Sequence, residues 1–339
     1  MSISSVRTKT WIKVQMGANV GCALLAMALS ASGGALTAGD PILLEGTKGK
    51  FDFIRVDRDK HRLLLAHTGN KSLDVFDLDA KKLLKSVATG AAQDSATDKK
   101  HHRYYASISD PPRMAIVDSE KLEMTGEVPL PAASDLMAYD ASSGRAYVCN
   151  DTAAEIWVID PEAKKIVNTI KLEGKSMEEL AVDGKAKRMF QVVSGLNSIV
   201  VIDPKDDKVL ETWAVQPAVK PHGMVLVPDA DTLLVAGGSG KLALMSRTSG
   251  KVLSTADTDN RVDEMAYDPE LHLAYCPGGS GKIAVVSVEG EKLNKIEDVP
   301  GAAGRSVVVD PKTHIVWIAS AKGEQAFVTP FTPGRQPGM

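Results

Sequence analysis

The chain has 339 residues, 44% hydrophobic, 24% charged and only 5% aromatic, with a formal net charge of −3. These are the proportions of an ordinary globular protein. The scarcity of aromatic rings argues against stacking platforms for sugars or bases, and the acidic balance disfavours nucleic acid, whose phosphates need a positive face.

The N-terminus comes first. Arg7, Lys9 and Lys13 form a basic region, Val20 to Leu29 is a short apolar run, and small residues follow from Ser30 to Ala38. That order is the order of a cleaved secretory signal. The apolar run is well short of the roughly 20 residues a membrane span requires. A signal peptide over 1–38 cleaved after Ala38, with no membrane span afterwards, predicts a periplasmic or secreted protein. Its removal takes away three basic residues and no acidic ones, leaving 37 basic against 43 acidic residues, a net charge of −6. Of the three cysteines, Cys149 and Cys276 remain. They lie in distant repeats and are expected as two separate buried thiols.

A period runs through the rest. An aspartate ends a short apolar run at Asp57, Asp98, Asp140, Asp183, Asp268 and Asp310, and Val227 occupies the same slot in the fifth unit. The successive spacings are 41, 42, 43, 44, 41 and 42 residues. Seven units of this length predict an all-β, seven-bladed propeller with four-stranded antiparallel blades. The third unit has strands over Leu136 to Tyr139, Arg145 to Cys149, Glu155 to Asp160 and Ile166 to Ile170. The fourth repeats them at Leu180 to Val182, Arg188 to Val193, Ser198 to Ile202 and Val209 to Val215. Turns rich in Asp, Gly, Pro and Asn separate the runs. The last unit lacks a fourth strand, and Pro41 to Glu45 has the apolar character to supply it, so an N-terminal strand completes the last blade. The expected organisation is one domain over 40–330 and a Pro/Gly-rich tail over 331–339.

The units "DASSGRAYVCNDTAAEIWVIDPEAKKIVNTI" and "DPELHLAYCPGGSGKIAVVSVEGEKLNKI" resemble the YVTN-repeat, YncE-like β-propellers of exported bacterial proteins. "AYVCN", Ala146 to Asn150, is the closest copy of that family's motif. The resemblance implies the fold and an exported location. Some relatives are linked to single-stranded DNA binding and others to metal or redox physiology. The Gly-His and Trp-Asp pairs of WD-repeat propellers are missing here, as are quinoprotein tryptophan-docking motifs.

The loop between strands two and three of each blade shares a face with the blade-to-blade connections, and function in such scaffolds sits on loops. The lead position, five residues before each repeat aspartate, reads Asp52, Gln93, Asp135, Glu178, His222, Asp263 and Arg305 around the ring. All seven are polar, although the strands they introduce are apolar. Asp94, Glu179 and Glu264 adjoin them, and the same-face loops carry His67, Asn70, Asn150, Asp151 and Asn197. Carboxylates about 8 Å apart at an effective dielectric near 20 repel by about 2 kcal/mol per pair. The ring relieves this by a raised pKa, by pairing with Arg305, or by holding a cation. Oxygen donors with one imidazole suit a divalent cation such as Ca²⁺, Mg²⁺ or Mn²⁺, with Glu178, Asp263, Glu264 and His222 as its ligands.

The expected function is binding of a small ligand, a metal or a protein partner at the top-face channel mouth. A solvated rim with no dedicated ligand is the plainer reading of the same residues. Two rivals stand beside these. One is a metal-dependent hydrolase or lyase, as in propeller lactonases and streptogramin lyases, with His222 as its base; the other is single-stranded DNA binding. His101 and His102 read as surface residues of a bottom turn. The runs Gly237 to Gly240 and Gly278 to Gly281 read as flexible blade loops, because no helix follows them as in a phosphate-binding loop.

Overall fold

A computed structural model describes residues 34–150, 152–228 and 230–334. The basic and apolar parts of the expected signal, and Asp151, lie outside the described residues. The rest forms seven antiparallel sheets, one per sequence unit as the period predicts: six of four strands, and one of three strands whose fourth place is filled by two short N-terminal segments. The innermost strands are Ile54–Asp57, Ala92–Asp98, Ser134–Asp140, Met177–Asp183, Pro221–Leu226, Ala266–Asp268 and Ser306–Val309, here numbered as blades 1 to 7. Among the described residues the only helical elements are two 3-10 turns, Thr68–Asn70 and Ser194–Leu196. None is long and apolar enough to cross a membrane.

The repeat aspartates owe their spacing to turn chemistry. One carboxylate oxygen of Asp57 accepts the backbone N–H groups of Asp59 and Lys60, and Asp183 and Asp268 do the same two and three residues on. Each closes the turn between the first two strands of its blade. The second oxygen is used between blades: Asp57 accepts from Tyr104 in blade 2, Asp268 contacts His314 in blade 7, and Asp310 contacts His61 of blade 1 across the ring closure at 2.8 Å. A second latch was not foreseen. An arginine opens the second strand in blades 1 to 4 and reaches the outer turn of the next blade. Arg62 donates to the Ser119 carbonyl, Arg103 pairs with Glu162, Arg145 lies 3.5 Å from Asp207, and Arg188 donates to the Arg247 carbonyl.

The core consists of seven apolar clusters, most of them joining the facing sheets of neighbouring blades. Cys149 and Cys276 are free and buried, in separate clusters. Of the glycine runs, Gly237 is no loose hinge. A Cβ there would stand 1.9 Å from the Lys220 carbonyl oxygen, so only glycine permits that backbone approach.

The last blade closes with the N-terminal segment, as expected, but more of it takes part. Ile42–Leu43 pairs with Val328 and Phe327 of the strand Gln325–Pro333. Leu36–Ala38 pairs further along the same strand, opposite Pro333, Thr332 and Phe331. Ala35 and Leu36 are buried in the core shared by blades 6 and 7. The folded unit therefore reaches back to residues read as signal peptide and forward into residues read as tail.

Candidate functional site

The local cause of the site is a β-bulge. The first two strands slip register between Ala92 and Asp94, between Ser134 and Met137, between Met177 and Leu180, and between Pro221 and Met224. The residues inside each slip are the lead position and, in the last three, its successor. A bulge re-aims side chains and leaves backbone N–H groups outside the ladder. Here it turns Gln93, Asp135, Glu178 and His222 toward the channel mouth; Asp52, Asp263 and Arg305 precede unbulged strands.

Six of the seven lead residues are half-buried and Arg305 is exposed. Asp52, Gln93, Asp135, Glu178 and Asp263 line one opening of about 360 Å³, together with Lys50, Phe53, Thr68, Ser109 and Ser134. His222 joins them, with Nδ1 3.2 Å from Glu178 and 3.5 Å from Asp263. Arg305 lies 3.2 Å from the other Asp263 oxygen. Residues spread over more than 250 positions of sequence thus converge. Gln93 donates to Ser109 and to the Ala91 carbonyl, which fixes its amide on the rim.

Charge is unevenly shared around this opening. The carboxylates of Asp263 and Glu178 raise the His222 pKa to about 9, against the opposing effect of burial. Burial pushes Asp263 upward, yet His222 and Arg305 outweigh it and hold that carboxyl below its ordinary range. Asp52 goes the other way. Burial first, then repulsion by Asp263, lifts it to about 7 in spite of Lys50. A shift in this direction favours the imidazolium at neutral pH, and it gives no support to a role for His222 as general base. An NMR titration is expected to show the His222 ring titrating near 9; a midpoint near the ordinary 6.5 would mean the pairing does not persist in solution.

Asp94, Glu179 and Glu264 do not face the mouth. They lie one layer down, at alternate blades 2, 4 and 6, and are buried. Arg55 meets all three. It grips Asp94 with two bonds of 2.8 Å, donates to Glu179 at 2.9 Å and lies 4.0 Å from Glu264. Blades 2 to 7 carry Ala96, Ala138, Ala181, Val225, Ala266 and Val308 at the Arg55 position, so one guanidinium occupies the space small side chains leave on the axis. Asp94 and Glu264 also accept N–H groups from other blades: Met137 of blade 3 bonds to Asp94, and Val307 of blade 7 and Ile54 of blade 1 bond to Glu264. Burial, only partly offset by Arg55, lifts Glu179 to about 7 and drives Glu264 well above the usual carboxylate range.

The proposed metal set is accordingly not assembled. Glu264 is engaged by backbone N–H groups beneath Glu178, Asp263 and His222, and no group of three or more potential ligands is placed to hold a metal among the described residues. Two further expectations also need correction. His67 is fully buried, with one ring nitrogen 2.7 Å from Asp74, the other 3.1 Å from the Gly49 carbonyl, and its face stacked on Phe51. Asn150 is buried and caps its own loop through Thr152. Neither is free for a ligand. Asn197 is likewise used in a loop contact, its side-chain oxygen accepting the Lys220 N–H, and Asn70 donates to Ser72. His101 contacts Asp98 at 2.7 Å, which makes it a turn residue of the bottom face.

Fold and site together define a seven-bladed β-propeller with a charged top-face mouth above a buried ionic hub. No family model and no curated protein matches the chain. Solved structures do. It is similar to hydrazine synthase of Kuenenia stuttgartiensis, with 16% identity over 81% of this chain and 95% of that one and a TM-score of 0.70. The RRP9 WD40 repeats show 10% identity over 88% of this chain and 100% of theirs, with a TM-score of 0.74. A chain of the mitotic checkpoint complex shows 12% identity over 96% of this chain and 98% of its own, also with a TM-score of 0.74. At such identities the likeness is one of fold.

Proposed function

We propose that this protein is an exported, YncE-like β-propeller that binds a small cationic ligand at the top-face mouth. The observation that carries the binding part is the convergence of the seven lead residues on one opening, where four carboxylates meet three cations, Lys50, His222 and Arg305. His222 and Arg305 are already turned toward Glu178 and Asp263. Asp52 and Asp135 line the same opening, and a partly protonated Asp52 gives up its proton when a cation arrives. An organic ammonium suits this opening better than a bare metal ion, because no closed ligand set surrounds it. Export and the family affinity rest on the sequence patterns at the N-terminus and in the repeats.

Hexylamine and calcium chloride serve as probes in calorimetric titrations of the full protein. Hexylamine is expected to bind with release of protons near pH 7, and the double variant Asp52→Asn, Asp135→Asn to lose that binding. Binding that ignores the double substitution, or calcium binding with no amine binding, would overturn the reading.

A further inference from the structure

Beside the mouth lies a second opening, of about 570 Å³, between blades 6 and 7 on the same face. It is lined by Arg261, Gly278 to Gly281 and Ala302 to Arg305, with no carboxylate among them. Arg305 belongs to both openings, because it pairs with Asp263 of the mouth at 3.2 Å. We infer that this opening is a subsite for a carboxylate, so that the ligand of the mouth is a zwitterion, with its ammonium among the lead carboxylates and its carboxylate on Arg261 and Arg305. The inference rests on the binding reading above and adds the second charge.

The glycines form the floor of this subsite. A Cβ on Gly279 would stand 2.4 Å from Arg261 Nε, one on Gly278 2.4 Å from the Asp259 side chain, and one on Gly304 1.9 Å from the Ala319 carbonyl oxygen. Only glycine lets the Arg261 guanidinium lie across the loop, where it donates to the Gly279 carbonyl at 3.1 Å. A guanidinium has five N–H donors. One edge of Arg261 is thus held, and among the described residues no carboxylate pairs with the remainder. The nearest acid behind the loop, Asp259, is taken by the N–H groups of Asn260 and Ser280. Arg305 donates to the Arg261 carbonyl at 3.4 Å, which ties the two arginines into one rim.

The charge balance selects the anion. Arg305 already shares its charge with Asp263 and the Asp259 carboxylate lies behind the loop, so the subsite offers at most about one uncompensated positive charge, which matches a carboxylate rather than a dianionic phosphate. A planar carboxylate also fits the fork of a guanidinium.

The test is calorimetric titration of the full protein with unbranched ω-amino acids, β-alanine through aminooctanoate, each against the alkylamine of the same length. At least one amino acid is expected to bind about tenfold more tightly than its amine, the scale of one charge-assisted contact. Arg261→Gln is expected to erase that advantage while leaving hexylamine binding unchanged, and Arg261→Lys to restore part of it. Arg261 is exposed, and a melting curve for each variant shows that it is folded. If no amino acid outbinds its amine, or if the advantage survives in Arg261→Gln, the carboxylate subsite is wrong while the mouth reading stands. If hexylamine binding ignores Asp52→Asn, Asp135→Asn, the mouth reading itself has failed.

Discussion

Replacing Arg55 with methionine is expected to destabilise the protein by about 3 kcal/mol or more at pH 7.5. Methionine keeps much of the volume against Phe53, whose ring centroid lies 5.2 Å from the guanidinium. It removes the one cation that Asp94, Glu179 and Glu264 share. Breaking a buried ion pair on one side is costly because each partner that stays ionised is left charged and dry, and each that takes up a proton does so at a cost that grows with pH. The pH dependence identifies the cause. Burial already raises the folded-state pKa of Glu179 to about 7, above its ordinary value, and raises that of Glu264 further. A carboxyl shifted upward contributes stability that is fully present below its unfolded pKa and is lost as pH rises through its folded pKa. Without Arg55 that loss deepens at high pH. Near pH 5 both glutamates are protonated in either protein, and their share of the deficit vanishes. Urea unfolding of both proteins at pH 7.5 and pH 5 measures this. A deficit below about 1 kcal/mol, or one of equal size at both pH values, would show that the hub is packing and not electrostatics.

A chain that begins at Gly39 is expected to be less stable than one that begins at Gly34 by about 2–4 kcal/mol. The shorter chain loses the burial of Leu36, worth about 2 kcal/mol, the pairing of Thr37 with Thr332, and the bond from the Gly334 N–H to the Ala35 carbonyl, at about 0.5–1.5 kcal/mol per bond. It also loses the bond from the Ala35 N–H to Glu297. The closing segment matters more than its length suggests, because Ala35 and Leu36 cover the core shared by blades 6 and 7, and without Leu36–Ala38 the end of the outer strand is left unpaired. Equal denaturation midpoints for the two chains would refute the closing role of Leu36–Ala38. The same argument bears on processing. Removal of the expected signal is predicted to occur before Ala35, not after Ala38, and N-terminal sequencing of protein recovered from an exporting host decides this.

Much of this architecture was legible in the chain. The repeat aspartates recur because each blade needs the same turn, and a turn is a local object whose chemistry is written within three residues. The lead residues were legible for a related reason. A polar side chain at the same register of seven apolar strands has one place to go when the strands line a channel. Arg55 carried a signal too, a charge where the other six repeats have alanine or valine, but its meaning depends on residues 39, 124 and 209 positions away.

By itself, then, the sequence determined the number of blades, their strands and turns, and which side chains gather at the mouth, because all of these follow from short-range periodicity. Only the tertiary structure decided which of those side chains are free. His67 and Asn150 are consumed by neighbours, Asp94, Glu179 and Glu264 are drawn beneath the mouth by Arg55, with backbone N–H groups of other blades also bonding to Asp94 and Glu264, and His222 is kept protonated by two carboxylates from adjacent blades. Availability and protonation depend on distance and desolvation between segments remote in the chain, and no local pattern encodes those.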